Sequence, residues 1–520
     1  MIAPSDSIDP LVAGVSGEDM TQTVTLGIDD DAIPSSVESG ADDSGDPEPG
    51  TRPDRPPKAQ EPMYFANASE EDPGRVYSRY ARHVNHRFAR VLELIGFDKV
   101  FVRAKGAWLW DQEGKRYLDF LGGYSVFNIG RNNDRVKAAL IDWLERDGAS
   151  MVQMEGSPLE GLLGQKLAEI TPGALECCFF TNSGSETSDV ALKFARKATR
   201  RPRVLYMESG FHGLTYGSLS ISDDEMWRDG FEPFVPGVTR IPWNDLDALE
   251  RELRKGDVAA LMIEPIQGEA GVRIPSDDYL PEAARLLHQY GALLAVDEIQ
   301  TGFGRTGRWF AVQHWDVEPD IMCVSKGLSG GYVPVGAVIT TRKIFDKVFE
   351  DLNHAVCQTS TFGGNAMAMT AALATIEVMQ SERVVEHCEA VGEQLRNRLE
   401  ALAKRFELIK EVRGKGLMIG IEFGEPKSLK LKAGWKLVHK ANRGLFGQMI
   451  SIPLMRDHGI ITQVAGHNLD VHKLAPPLTI GDEEIDYFVS AYEKVMVDLH
   501  KFPGPVFDLA TTMLKNGMSW

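Results

Sequence analysis

The sequence predicts an α/β protein: a large, doubly wound domain with a mostly parallel sheet, and a smaller α/β domain formed by the N- and C-terminal parts. Three observations carry this expectation. Between residues 130 and 375, apolar runs such as VLYM, AALMIEP and ALLAVDE alternate with amphipathic helical stretches, as strands do when helices cover both faces of their sheet. Before them, GAWLWDQEGKRYLDFLGG reads as a hairpin turning at Gln112 to Lys115. After them, a long helix beginning near Asn365 leads into a shorter α/β alternation over residues 380 to 500.

The chain opens on an acidic segment, with 13 acidic against 3 basic residues in positions 1 to 60 and no aromatic before Tyr64. Such a segment buries too little apolar surface to offset its ordering entropy, so residues 1–60 are expected to be a disordered tail. RVYSRYARHVNHRFARVLELIGF has a helical period and reads as a lead-in helix; residues 61–129 then combine it with part of the small domain. Residues 130–375 form the large domain, with ligands expected at the C-terminal ends of its strands. Residues 376–520 complete the small domain. Within them, LKLKAGWKLVHKANRGLFGQMISIPLMRDHG is helical and basic and reads as a cover over the site entrance.

Composition narrows the function classes. A net charge of −19 argues against nucleic-acid binding. Five cysteines, odd in number and outside metal-ligand spacing, point to reduced thiols and a cytoplasmic setting with no metal site. No apolar run approaches the length of a membrane span, and no basic-then-apolar leader opens the chain.

The chemistry centres on Lys326, in CVSKGLSGGYVPVGAV, 29 residues after Asp297 in LLAVDEIQTGFGRTG. An aldehyde cofactor needs a lysine to hold it as a Schiff base and a carboxylate to keep its ring nitrogen protonated, so the pair points to pyridoxal 5'-phosphate. Gln300 can donate to the ring oxygen beside the imine. Lys326, displaced by a substrate amine, becomes the general base that moves the Cα proton. The bland alternatives are a solvated loop lysine and an ordinary strand end. GFGRTG, residues 302–307, also matches the dinucleotide fingerprint, but no acidic residue follows about 20 positions on at a second strand end.

NSGSE before an amphipathic helix, with Val190, Ala191, Phe194 and Ala195 on its apolar side, offers backbone N–H groups and the Ser185 hydroxyl to a phosphate. A plain N-cap would look the same. Phe211 and His212 follow in VLYMESGFHGLTYGSLSIS, where an aromatic could stack on a pyridine ring or simply fill a core.

The ordered series NSGSE, GFHG, MIEPIQGEAGV, DEIQTGFGRTG, SKGLSGG, TSTFGGN, VRGKGLMIGIEF and LAPPLTI resembles the class III (ornithine/ω-amino-acid type) aminotransferases of fold type I, over roughly residues 95 to 495. The resemblance implies that Lys326 is the Schiff-base lysine, Asp297 pairs with the pyridine nitrogen and Gln300 contacts the ring oxygen. Gly184 and Ser185 bind phosphate, Phe211 stacks on the ring beside His212, and Glu264 orders the surroundings. Thr361 reaches the phosphate of a neighbouring subunit's cofactor, implying a homodimer with shared sites. Glu269 and Arg413 match a glutamate–arginine switch in which the arginine takes a substrate α-carboxylate and otherwise pairs with the glutamate. Tyr124 lies near the substrate.

Two positions depart from the family pattern. Leu214 stands where several members carry an arginine for the distal carboxylate of 2-oxoglutarate, and Arg131, in GRNNDR, replaces a histidine. The expected activity is ping-pong transfer of a terminal primary amino group between a small amine, diamine or ω-amino acid and a keto acid or aldehyde. Decarboxylation or an intramolecular amino shift on the same scaffold is the enzymatic alternative. An NAD-dependent oxidoreductase resting on GFGRTG is remoter.

Overall fold

The computed structural model describes residues 68–441, 444–466, 469–501 and 504, all within one unit spanning Met63–Trp520. The acidic segment 1–60 and the C-terminal tail beyond residue 504 lie outside the described residues. The lead-in stretch forms two helices, Pro73–His83 and His86–Ile95. Asn85 interrupts it because its side chain accepts a hydrogen bond from Phe88 N at 2.9 Å and so caps the second helix.

Strands β1 (Phe101–Lys105), β2 (Trp108–Asp111) and β3 (Arg116–Asp119) follow as an antiparallel meander. Asp111 Oδ1 closes the expected turn by accepting from Glu113 N and Lys115 N at 3.0 and 2.9 Å. The large sheet contains β4 (Leu175–Thr181), β5 (Arg203–Met207), β6 (Val238–Ile241), β7 (Val258–Ile263), β8 (Leu293–Asp297), β9 (Ile321–Val324) and β10 (Gly336–Thr341) in the order β4-β10-β9-β8-β7-β5-β6. Strands β9 to β6 run parallel, and β10 pairs antiparallel with both β9 and β4. Every residue of VAALMI in β7 is buried, as a central strand covered on both faces requires.

The C-terminal part adds β11 (Ile409–Lys415), β12 (Met418–Phe423), β13 (Ile460–Ile461), β14 (Gln463–Val464) and β15 (Val471–Leu474). β13 pairs parallel with β3, Leu118 opposite Ile460, so the N-terminal meander is completed by the C-terminal part of the chain. Phe120 stacks on Phe488 with centroids 4.1 Å apart across the same junction. The remaining four strands form a sheet ordered β11-β12-β15-β14. The boundary expected at 375 falls inside the helix Ala366–Ser381, which is continuous because Asn365 caps it and apolar side chains bury it along its length.

Two sequence expectations are revised by packing. The stretch read as a basic cover forms helices Leu429–Ala441 and Leu445–His458. The second is core: Leu445, Phe446, Met449, Ile450, Leu454 and Met455 are buried, so its apolar side chains set its position, and the lysines of the stretch all lie before it. In GFGRTG, Arg305 is fully buried and donates to Pro476 O at 2.5 Å, Asn128 Oδ1 at 2.7 Å and Leu417 O at 3.2 Å. The motif therefore carries an internal strut that ties three distant segments, not a dinucleotide loop.

Glu298 is also buried, accepting from the Thr301 hydroxyl and from Val312 N at 2.9 Å, and burial pushes its carboxyl up from 4.5 to about 7. Between pH 4.5 and about 7 the folded protein holds a proton that the unfolded chain has released. Stability therefore falls as pH rises through that window, and the loss is complete above it. Glu298→Gln cannot ionise and should recover on the order of 3 kcal/mol at neutral pH. Urea midpoints of the cofactor-free protein at about pH 5 and about pH 8 will show a shallower decline in the variant; an identical decline would contradict the assignment.

Candidate active site

The C-terminal ends of the parallel strands meet the start of the helix Gly184–Thr199 around a cavity of about 170 Å³. Ser183, Gly184, Ser185, Phe211, His212, Glu264, Glu269, Asp297, Gln300 and Lys326 all line it. Sequence elements far apart in the chain are thus brought to one place by the topology, as expected at the carboxyl edge of an open α/β sheet.

One end of the cavity suits a phosphate. Ser183 caps the helix by accepting from Glu186 N, and Glu186 reaches back to Asn182 N at 2.7 Å. The amides of Gly184 and Ser185 open the first turn, where no intrahelical acceptor exists. Two glycines leave room. A Cβ on Gly184 would stand 2.9 Å from Ile299, and one on Gly213, whose φ is +118°, would meet Ser185 Oγ at 2.2 Å.

The other end is acidic. Asp297, the last residue of β8, accepts from His212 Nδ1 at 2.7 Å through Oδ2 and from Ile299 N at 3.0 Å through Oδ1. Burial opposes a charge on His212, but the Asp297 carboxylate and Glu264 outweigh it and leave the ring above its ordinary range. Glu264 accepts from Phe211 N and Gly268 N, each at 2.9 Å, and burial raises it to about 7. Between the ends, Lys326 sits with φ +37°, a backbone strain of the kind tolerated where the surroundings over-determine a residue. Burial lowers its pKa, against the pull of Glu269, and so favours the neutral amine that adds to a carbonyl. Buried Gln300 Oε1 and His212 Nε2 have no partner among the described residues. Aldehyde-bearing ring, protonated ring nitrogen and phosphate would each find a complementary group here, so the residues present fit pyridoxal phosphate.

The cation facing Glu269 is not the one expected. Lys473, on β15 in HKLAPPLTI, has a side chain only 1% exposed and meets Glu269 Oε1 at 2.5 Å. Burial opposes the Glu269 charge, yet Lys473 holds its carboxyl down at about 2. Arg413 on β11 pairs instead with Glu411 at 2.8 Å and with Glu422, and donates to Gly271 O at 2.7 Å and Val272 O at 3.1 Å. The expected Glu269–Arg413 pair is therefore corrected to Glu269–Lys473. Arg413 is fully engaged by its own sheet and the GEAG turn. Nothing in VRGKG distinguishes an anchoring arginine from a substrate-facing one; the missed signal was the lysine within the LAPPLTI signature region.

The other expected residues lie outside the small cavity. Tyr124 is half exposed in left-handed backbone, its phenol pushed up by partial burial and then by Glu269. Arg131 is structural: it pairs with Asp119 at 2.8 Å and lies over the Phe127 ring. Leu214 is exposed and its amide donates to Ser185 Oγ at 3.2 Å. Thr361 is exposed and accepts from Gln153 Nε2 at 3.0 Å through its carbonyl; it does not reach the cavity of its own chain. Neither helix of the 429–458 stretch contributes to the cavity wall, which corrects their reading as a cover.

Fold and cavity together define a pyridoxal-phosphate enzyme of fold type I. Comparison with known proteins gives the family: residues 96–496 match the aminotransferase class-III model. The chain is 32% identical over 489 residues to aminotransferase PigE of a Serratia species, covering 88% of this chain and 57% of that protein's length. It is 40% identical over 363 residues to putrescine aminotransferase of Pectobacterium atrosepticum, covering 67% of this chain and 76% of that one. Among solved structures, an ornithine aminotransferase from Toxoplasma gondii with partial occupancy of PLP at its active site matches with a TM-score of 0.68 and 32% identity over 77% of this chain and 90% of that one. The chain belongs to the class-III aminotransferases, and its cofactor is pyridoxal phosphate.

Lys326→Ala removes one reactive amine and little packing. Turnover and the visible band of lysine-bound cofactor should vanish while circular dichroism and melting hold. Asp297→Asn keeps the size and loses the charge, so cofactor should stay bound while Cα proton abstraction slows about a hundredfold, about 2.7 kcal/mol. Ordinary turnover in the first variant, or an unchanged rate in the second, would contradict these roles.

Proposed function

We propose that the protein transfers the terminal primary amino group of a small amine, diamine or ω-amino acid to a keto acid or aldehyde in two half-reactions at one site. The carrying observation is the buried Lys326 amine set among Asp297, Glu264 and Glu269 in a single cavity. The 40% identical relative named for putrescine supports the substrate class. When bound, pyridoxal phosphate supplies an aldehyde that joins amines and a ring that takes up electrons. The chain supplies the rest. Asp297, oriented by His212 and Ile299 N, presents negative charge to the ring nitrogen, and Lys326 Nζ carries the proton to and from the substrate carbon.

The Glu269–Lys473 pair divides donors from acceptors. An amine without an α-carboxylate leaves the pair closed. An α-keto acid offers its carboxylate to Lys473 in place of Glu269. An ammonium gives a point charge where arginine would give a bidentate fork. Lys473→Gln, made together with Glu269→Gln so that no buried charge is left alone, should therefore raise KM for pyruvate and other α-keto acids about tenfold or more and leave the half-reaction of a simple monoamine nearly untouched. Equal losses for both would refute this division.

The protein acts as a homodimer in this reading, in a cytoplasmic setting consistent with five free cysteines; among the described residues no helix is long and apolar enough to cross a membrane. Support for the dimer comes from exposed apolar side chains: Met154, Leu352 and Val356 are 93%, 89% and 75% exposed, and Phe362 within TSTFGGN is exposed as well. Thr361 then serves the phosphate of the partner's site. Thr361→Glu and Lys326→Ala homodimers should each be inactive. Refolded together, they should regain activity, because one site of the mixed dimer has both native residues. If Thr361 served its own chain, every mixed site would carry a lesion and the mixture would stay inactive.

A further inference from the structure

A second cavity, of about 720 Å³, adjoins the first and shares Phe211 and Glu269 with it. Its wall is rich in charge, and nearly all of that charge is already matched. Asp223 pairs with Arg240, Asp470 with His439, Glu422 with Lys410, and Glu411 with Arg413. Two guanidiniums line this antechamber, and they differ sharply. Arg413 is held by two carboxylates and two carbonyls. Arg273 makes no side-chain hydrogen bond or ion pair with any described residue, and its guanidinium lies over the Trp243 ring, 4.9 Å from the centroid.

The backbone of Arg273 is fixed. It bridges Gln267 through two hydrogen bonds of 3.0 Å, Arg273 N to Gln267 O and Gln267 N to Arg273 O, closing the turn that carries Glu269. A half-buried guanidinium on a rigid foot, stacked on an aromatic ring and feeling only the longer-range pull of Glu208, which is itself paired with Arg240, is preorganised for an anion. Leu214 supplies no charge at the distal end of the site, and Lys473 offers one ammonium only.

We propose that Arg273 is the specificity-determining cation of the antechamber and pairs with the second carboxylate of a dicarboxylic keto acid whose keto carbon lies at Lys326. The inference rests on the aminotransferase reading and deepens it. Keto acids with one carboxylate do not use this contact.

The test compares 2-oxoglutarate with pyruvate as acceptors for the cofactor-loaded enzyme and its Arg273→Met and Arg273→Lys variants. Arg273→Met should raise KM for 2-oxoglutarate roughly tenfold to a hundredfold, keep kcat within about twofold and leave KM for pyruvate unchanged. Arg273→Lys should recover part of the loss. Calorimetric titration with glutarate, which reads binding without turnover, should give a measurable affinity for the wild type that Arg273→Met loses. Equal KM changes for both acceptors, no change for either, or glutarate binding equal in wild type and Arg273→Met would overturn the proposal. Failure of the wild type to convert its cofactor band with any amine donor would instead overturn the aminotransferase reading itself, and the glutarate titration would still judge Arg273.

Discussion

Everything at this site depends on holding five charged or chargeable side chains out of water without leaving any of them alone. Asp297, Glu264 and Lys473 are buried, and Lys326 and Glu269 adjoin them, half-buried at the cavity wall. An isolated buried charge costs several kcal/mol, so each of these groups must be neutralised by a neighbour or by a shifted pKa. The structure uses both routes. Glu264 is raised to about 7 and Lys326 is lowered, so that each tends toward neutrality, whereas Glu269 and Lys473 stay as an ion pair. Asp297 is stabilised differently, by a histidine ring on one oxygen and a backbone amide on the other.

The fold makes this crowding possible. Parallel strands β7 and β8 deliver Glu264 and Asp297 at neighbouring strand ends, and β9 delivers Lys326 just beyond its last residue. Rigid strands bring the acids within reach of one another; turns would not hold their spacing. The phosphate end is built on a helix start instead, where the first-turn amides have no intrahelical acceptor and all point one way. Each kind of chemistry therefore sits on the element whose backbone suits it.

How much of this was legible in the sequence follows from how local each signal is. Asp297 closes an apolar run, and Gly184 and Ser185 open an amphipathic helix, so pattern alone placed them at strand and helix ends. The break at Asn85 was missed because both halves share one helical period and only the cap geometry separates them. The Lys473 partnership was illegible for a stronger reason. Its contact with Glu269 spans 204 residues of chain, and a lysine inside a buried strand looks like an edge residue until its partner is known. Arg413 drew the assignment because VRGKG stands out as a motif, although its guanidinium faces Gly271, Val272, Glu411 and Glu422.

That misassignment points to how the site can move without coming apart. Lys473 and Arg413 both project from the C-terminal sheet onto the GEAG turn, but they hold it differently. Arg413 grips backbone carbonyls of Gly271 and Val272, contacts that do not depend on where the Glu269 side chain points. Among the described residues, the Lys473 ammonium grips only the Glu269 carboxylate. Separating that buried pair with nothing in its place costs about 3 to 5 kcal/mol, because an uncompensated charge remains. In the proposed reaction a carboxylate arriving at Lys473 would remove the penalty by substituting one anion for another, while the Arg413 contacts would keep the turn in register. On the proposed division of donors from acceptors, the turn would release its glutamate to an incoming carboxylate and keep it paired for a neutral or purely cationic substrate.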